Sequence, residues 1–170
     1  MKSVVMFVLL AVMGVAFTAG AADADAARKL PAFEMKDLQE QEHRLTDDRF
    51  KGKKLLIAAF ATWHQPSIEQ ARELEAFHKA HPEVEIIAFI VDSVAEARDF
   101  KARQGLTFPC YKTDASTRIG QGFNRVFKTR KGKVLTLNKA PFVILADADR
   151  NVYYAELGLT SAATLGQELK

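Results

Sequence analysis

His64 and Ser67 stand three residues apart just after an apolar run, Leu55 to Phe60, and they are the pair whose types and spacing most suggest chemistry. On a helix that begins there, they lie one turn apart and can touch. A serine beside an imidazole pairs a nucleophile with its base. Hydrolase chemistry also needs an acid to orient the imidazole, and no such acid and no G-x-S-x-G elbow accompanies Trp63-His64-Gln65-Pro66-Ser67. Ser67 is therefore read as a helix-start residue. Ser67-x-x-Gln70 has the form of a capping box, and Pro66 suits the first helical position. Three readings stay open for His64: a solvent-facing residue, a hydrogen-bonding group toward a docked ligand, or a metal ligand. His43, His78 and His81 fall on other elements, and no Cys/His spacing of a zinc or copper site occurs. Neither a metal nor another cofactor is expected.

Cys110 is the one cysteine of the chain. It follows Phe108-Pro109 in a segment read as extended, away from the helix starts that activate thiols. It is either a buried thiol acting as a small hydrophobe, or an exposed one that forms an intermolecular disulfide or serves redox chemistry with an external thiol. With a single cysteine there is no internal disulfide. Dithiol exchange, which needs a second thiol to resolve the mixed disulfide, lacks its parts. A P-x-x-x-T-x-x-C pattern at a helix start, which peroxidase chemistry would want, is absent.

The elements that must position these residues follow from periodicity. Leu55 to Phe60 reads as a strand covered on both faces. Ile68, Ala71, Leu74 and Phe77 recur at helical spacing down to about His81, where Pro82 stops the helix. Val84 to Val91 is a second buried strand. Asp92-Ser93 caps a helix with Val94, Ala97 and Phe100 inward, ending at Gly105. Leu106 to Tyr111 reads as extended, and Thr113 or Asp114 starts a short helix through about Gly122. Phe142 to Leu145 and Val152 to Leu157 form a hairpin about the polar turn Asp147 to Asn151, and Ser161 to Leu169 closes the chain as a helix. Upstream, Phe33 to Lys36 and His43 to Leu45 pair around Asp37 to Gln41. Thr46-Asp47-Asp48 opens a short helical turn that ends at Gly52. Strand–helix alternation followed by a hairpin and a last helix implies an α/β fold: a central mixed sheet flanked by helices on both faces, with an N-terminal β-hairpin extension.

The N-terminus reads as an export signal. Lys2 precedes an apolar run from Val4 to Phe17, and Ala19-Gly20-Ala21 offers a small-x-small cleavage site. The run is short for a membrane span, which needs about 20 residues. Residues 1–21 are expected to be a signal peptide, 22–29 a flexible leader and 30–170 one domain. The mature protein is placed in an oxidising compartment, the periplasm, with no lasting membrane anchor. The whole chain has 24 basic and 21 acidic residues, and cleavage removes only Lys2 among them. So mild a balance does not suit nucleic-acid binding.

Four stretches occur in an order that resembles the TlpA/ResA-like periplasmic thioredoxin-fold proteins, within the redoxin (AhpC/TSA-type) group. They are Leu30-Pro31-Ala32-Phe33, then Lys51-Gly52-Lys53 leading to Ala61-Thr62-Trp63, then Ile90-Val91-Asp92-Ser93 with Gly105-Leu106-Thr107-Phe108-Pro109, and last Ala140-Pro141-Phe142-Val143-Ile144-Leu145-Ala146-Asp147. The resemblance spans Leu30 to Lys170. It implies a thioredoxin-like fold, a cis peptide at Pro141 facing the turn, and main-chain hydrogen bonds from Ala140 to an incoming peptide. It also places His64 and Ser67 at the two cysteine positions of the family's C-x-x-C turn, so the redox site is degenerate. Non-catalytic binding of a protein, peptide or small ligand is then expected at Trp63, His64, Gln65, Pro66, Ala140 and Pro141. The alternatives are an oxidoreductase using Cys110 and a structural subunit of a periplasmic complex. Arg125 to Lys139 carries six basic residues and no acid, and is expected either to be a solvated loop or to dock an acidic partner.

Overall fold

The computed structural model of the chain describes residues 29–113 and 140–169. Its strands are β1 (Glu34–Asp37), β2 (Glu42–Arg44), β3 (Leu55–Ala61), β4 (Glu85–Val91), β5 (Cys110–Thr113), β6 (Phe142–Ala146) and β7 (Val152–Leu157). Helix α1 (Gln65–Ala80) joins β3 to β4, α2 (Val94–Gln104) joins β4 to β5, and α3 (Ala162–Glu168) follows β7. The strands form one mixed sheet in the order β2-β1-β5-β4-β3-β6-β7.

β3 is the centre, and every residue in it is buried. It runs parallel to β4 from Leu55↔Glu85 to Ala61↔Val91, and antiparallel to β6 from Leu55↔Ala146 to Ala59↔Phe142. A strand paired on both sides and covered on both faces has no place for a polar side chain, which is why its sequence is uninterruptedly apolar. Alternation sends Leu56, Ala58 and Phe60 to one face and Leu55, Ile57 and Ala59 to the other. The first face receives Leu74 and Phe77 of α1, Ala97 and Phe100 of α2, and Leu165 of α3. The second receives Leu30, Met35, Leu45 and Phe50 from the N-terminal segment. The short helix expected after Thr113 lies outside the described residues, as do the expected signal peptide and nearly all of the leader.

The expected N-terminal hairpin forms, with Glu34↔Arg44, Met35↔His43 and Lys36↔Glu42 in register. It extends the main sheet, because β1 also pairs antiparallel with β5 through Asp37↔Tyr111. Lys29, at the end of the expected leader, bridges to Asn151 in the β6–β7 turn. In α2 the Ser93 Oγ accepts from the Glu96 N–H, and Gly105 ends the helix at φ 63, a left-handed conformation that suits glycine.

Two local expectations are corrected. Extended pairing starts only at Cys110, not Leu106. The Leu106 N–H bonds the Lys101 carbonyl, while the Thr107 N–H and Oγ1 both donate to Glu75, so neither amide is free to join β4. The helix after β3 begins one residue early, at Gln65, with His64 as its N-cap.

Candidate functional site

The buried strand β3 leaves the sheet at Ala61 and must turn at once into α1, and this turn carries the residues singled out above. The His64 N–H donates to the Ala61 carbonyl at 3.2 Å, and the His64 carbonyl accepts from the Ser67 N–H at 2.8 Å and the Ile68 N–H at 3.2 Å. His64 has extended backbone and its ring makes no capping bond. Its side chain is left facing solvent.

Ser67 is fully buried, and it does not cap the helix. Lying inside the first turn, its Oγ instead accepts from the Ala61 N–H at 3.0 Å, satisfying the last amide of β3. Its separation from His64 Nδ1 is 3.5 Å, at the outer limit of a hydrogen bond. The capping box with Gln70 does not form either. The buried Gln70 amide reaches the loop after β7, donating to the Thr160 carbonyl at 2.9 Å and accepting from the Thr160 N–H at 2.7 Å. The Ser67 oxygen is thus enclosed and occupied by a backbone amide, which leaves it poorly placed to attack a substrate.

Around this turn the structure brings most of the expected residues together. The Ala140–Pro141 peptide is cis. The β3–β6 register ends at Ala59↔Phe142, so Pro141 directly precedes the last paired residue of β6, at the end of the sheet from which the turn leaves. Pro141 is buried and Ala140 half-buried. The Pro141 carbonyl accepts from the Gly158 N–H at 2.9 Å. Gln65 is exposed and donates to Glu69 at 3.1 Å, while Pro66 is half-buried. Trp63 is 70% exposed.

Two features here were not anticipated. Leu159 is 49% exposed and, with Trp63, is one of two large hydrophobic side chains left in solvent among the described residues. It sits between Gly158, at φ 93, and the clamped Thr160, at the same end of the sheet as the turn. Its only signal in sequence is an apolar residue after a glycine in a short loop. The Thr62 Oγ1 also donates to the Asp92 carboxylate, whose other oxygen accepts from the Ser93 N–H at 2.6 Å. That bond ties the turn to the β4–α2 junction.

Cys110 lies elsewhere. It pairs with Ala88 in mid-β4, is buried in the helix-covered cluster, and has its Sγ 3.7 Å from the Phe108 carbonyl. Burial pushes its thiol up to about 12, outweighing the nearby Lys101 charge. At neutral pH the thiol is therefore held in its protonated form. The other histidines are equally dispersed. His43 bonds Asp37 at 2.8 Å, His78 sits edge-on to Phe108, and His81 lies against Phe77. Among the described residues no group of three or more His, Cys, Asp or Glu is placed to hold a metal ion. The basic stretch Arg125 to Lys139 lies outside the described residues.

Comparison with known proteins supplies the context. Residues 25–167 match the Redoxin family. The thiol-disulfide oxidoreductase ResA of Geobacillus thermodenitrificans (strain NG80-2) is 33% identical over 120 residues. That alignment takes in 64% of this chain and 66% of the relative, just short of two thirds of its length. A thioredoxin-family thiol:disulfide interchange protein from Chlorobium tepidum TLS superposes with a TM-score of 0.68 at 18% identity, over 82% of this chain and 92% of its own. StoA from Bacillus subtilis does so with a TM-score of 0.61 at 18% identity, over 82% and 97%. A secreted Mycobacterium tuberculosis disulfide oxidoreductase homologous to E. coli DsbE gives 0.62 at 15%, over 87% and 97%. These structural likenesses are of fold: the thioredoxin-like α/β architecture.

Proposed function

The chain belongs to the Redoxin family, in its TlpA/ResA-like part, and from that premise we propose that it is an exported protein that binds a polypeptide at a turn no longer equipped for dithiol exchange. The observation that carries this reading is the state of the two positions where the family has its thiols. His64 stands in solvent, and Ser67 is enclosed with its oxygen bonded to the Ala61 amide. Neither can form or resolve a mixed disulfide. The platform around them is nonetheless retained. Trp63 and Leu159 offer apolar surface on either side of the strand ends, and Ala140 precedes the cis-proline with its backbone at the rim. An extended peptide would bury the indole against an apolar residue and bond the main chain of Ala140. His64 and Gln65 would add polar contacts, and Pro66 would line the side. The burial of Cys110 speaks against the oxidoreductase alternative, since the thiolate is the attacking species.

The test is a pair of measurements. Wild-type protein should not accelerate insulin reduction by dithiothreitol, and the double variant His64→Cys/Ser67→Cys should regain some of that activity. Trp63 is the chain's only tryptophan, so its fluorescence reports docking without a label. Titration with unfolded periplasmic polypeptides should shift the emission, and Trp63→Ala should weaken capture. Steady reductase turnover by the wild type, abolished in Cys110→Ser, would overturn the reading. Export is supported by the apolar N-terminal run and by the secreted neighbour of the same fold. A precursor-to-mature shift corresponding to loss of 21 residues checks it.

A further inference from the structure

Trp63 and Leu159, the two large hydrophobic side chains left in solvent among the described residues, each adjoin a threonine fastened to a neighbouring element. After Leu159, the Thr160 N–H and carbonyl are both bonded to the Gln70 side chain of α1. Before Trp63, the Thr62 Oγ1 donates to the Asp92 carboxylate just past β4. An indole so exposed has little packing of its own to hold it. Its direction therefore depends on the backbone that carries it.

Two further bonds hold the turn. The Ala61 N–H donates to Ser67 Oγ and the His64 N–H to the Ala61 carbonyl, and both close within the segment from β3 to α1. The Thr62–Asp92 bond reaches outside that segment. Ala61 and Val91 are the last register partners of β3 and β4, so Thr62 and Asp92 are the first residues beyond the paired strands. Both are half-buried, and a hydrogen bond to a carboxylate is stronger than one between neutral groups. The carboxylate is itself fixed. Its other oxygen accepts from the Ser93 N–H at 2.6 Å, and Ser93 caps α2 through the Glu96 N–H. Ala97 and Phe100 anchor α2 in the core. Thr62 is thus braced against the start of a packed helix.

We propose that Asp92 is a positioning residue for polypeptide docking: through Thr62 it fixes the backbone that presents Trp63, so the indole meets an incoming chain already oriented. This rests on the reading of the turn as a docking surface and adds what prepares that surface. Asp92 acts without touching the docked chain. A side chain held in its bound direction beforehand loses less freedom on binding, which is how a preorganised surface gains affinity.

The experiment follows docking by Trp63 emission, with reduced, carboxymethylated ribonuclease A as the probe, an unfolded chain without tryptophan. Thr62→Val removes the hydroxyl and should weaken binding about three- to tenfold. Thr62→Ser keeps it and should bind within about twofold of the wild type. Asp92→Ala should weaken binding as Thr62→Val does, and combining the two should cost no more than either alone. In the free protein, time-resolved anisotropy should show faster indole motion in Thr62→Val than in the wild type or Thr62→Ser. Glu75→Gln, in the second half of α1, loosens the hold on Thr107 and should lower the urea midpoint yet leave docking unchanged, which separates orientation from stability. If Thr62→Val and Asp92→Ala dock the probe as tightly as the wild type, or if their losses add, Asp92 does not act through Thr62, and the proposal is overturned while the docking surface stands. A wild type that fails to bind the probe would overturn the docking surface, and the role of Asp92 with it.

Discussion

Ser67 illustrates how much a single oxygen can decide. It satisfies the Ala61 amide at the point where β3 ends, with both residues buried. Ser67→Ala leaves that N–H buried without an acceptor, and the expected loss is about 1–3 kcal/mol, read from the urea midpoint. A change within error would show that the amide finds another partner. Cys110 makes a complementary prediction. Buried among Phe108, Phe100 and Ala88, with its thiol held in the protonated form, it should resist maleimide in the native state and react once the chain is unfolded. Rapid labelling of the native protein would contradict its placement.

At the scale of elements, α1 is the hub. Its polar side chains reach three other segments: Gln70 holds Thr160, Glu73 accepts from the Ala162 N–H at 2.7 Å, and Glu75 holds Thr107. These bonds fix where α3 starts and where the chain enters β5. Gln70→Ala removes two buried bonds to Thr160, and the expected cost is roughly 2–3 kcal/mol, measured by thermal or urea unfolding. Because Leu159 precedes Thr160, the same variant should also blunt the tryptophan-emission change on polypeptide docking. Unaltered stability would mean that the clamp contributes nothing.

For the whole molecule, acid is the informative perturbation. Burial pushes the Glu75 carboxyl up, but the Thr107 N–H and hydroxyl and the Lys79 ammonium outweigh it and hold it below 4.5. Glu85 is lowered in the same way by Arg49 and Lys53, against its burial, and Asp37 by His43 and the turn amides. A carboxyl depressed in the folded state stabilises above its unfolded value and loses that contribution as pH falls through its folded one. Stability should therefore be level from neutral pH to about the ordinary carboxylate values of 4.5 and 3.8, then decline below them. Urea midpoints at neutral pH and at successive acid steps check this, and a flat profile would contradict it. The three carboxylates tie the helix-covered side, the central sheet and the hairpin respectively, so the decline should be one cooperative transition.

What the amino-acid order determined by itself is local and periodic. The uninterrupted apolar run of β3, the alternation and turn residues of the N-terminal hairpin, the limits of β7, and the Ser93 cap and Gly105 stop of α2 all emerged where periodicity and capping place them. That the chain has no second cysteine for a dithiol pair was equally legible, since it needs only a count. Tertiary structure alone decided what each polar side chain does once surrounded. Ser67 and Gln70, adjacent in a capping pattern, part company because one meets the end of β3 and the other a loop ninety residues on. Leu106 to Pro109 is apolar enough for a strand, yet Glu75 claims the Thr107 amide first. The exposure of Leu159 depends on which distant groups arrive beside it. Periodicity travels with the chain, whereas hydrogen-bond partners separated by dozens of residues exist only after the sheet has assembled.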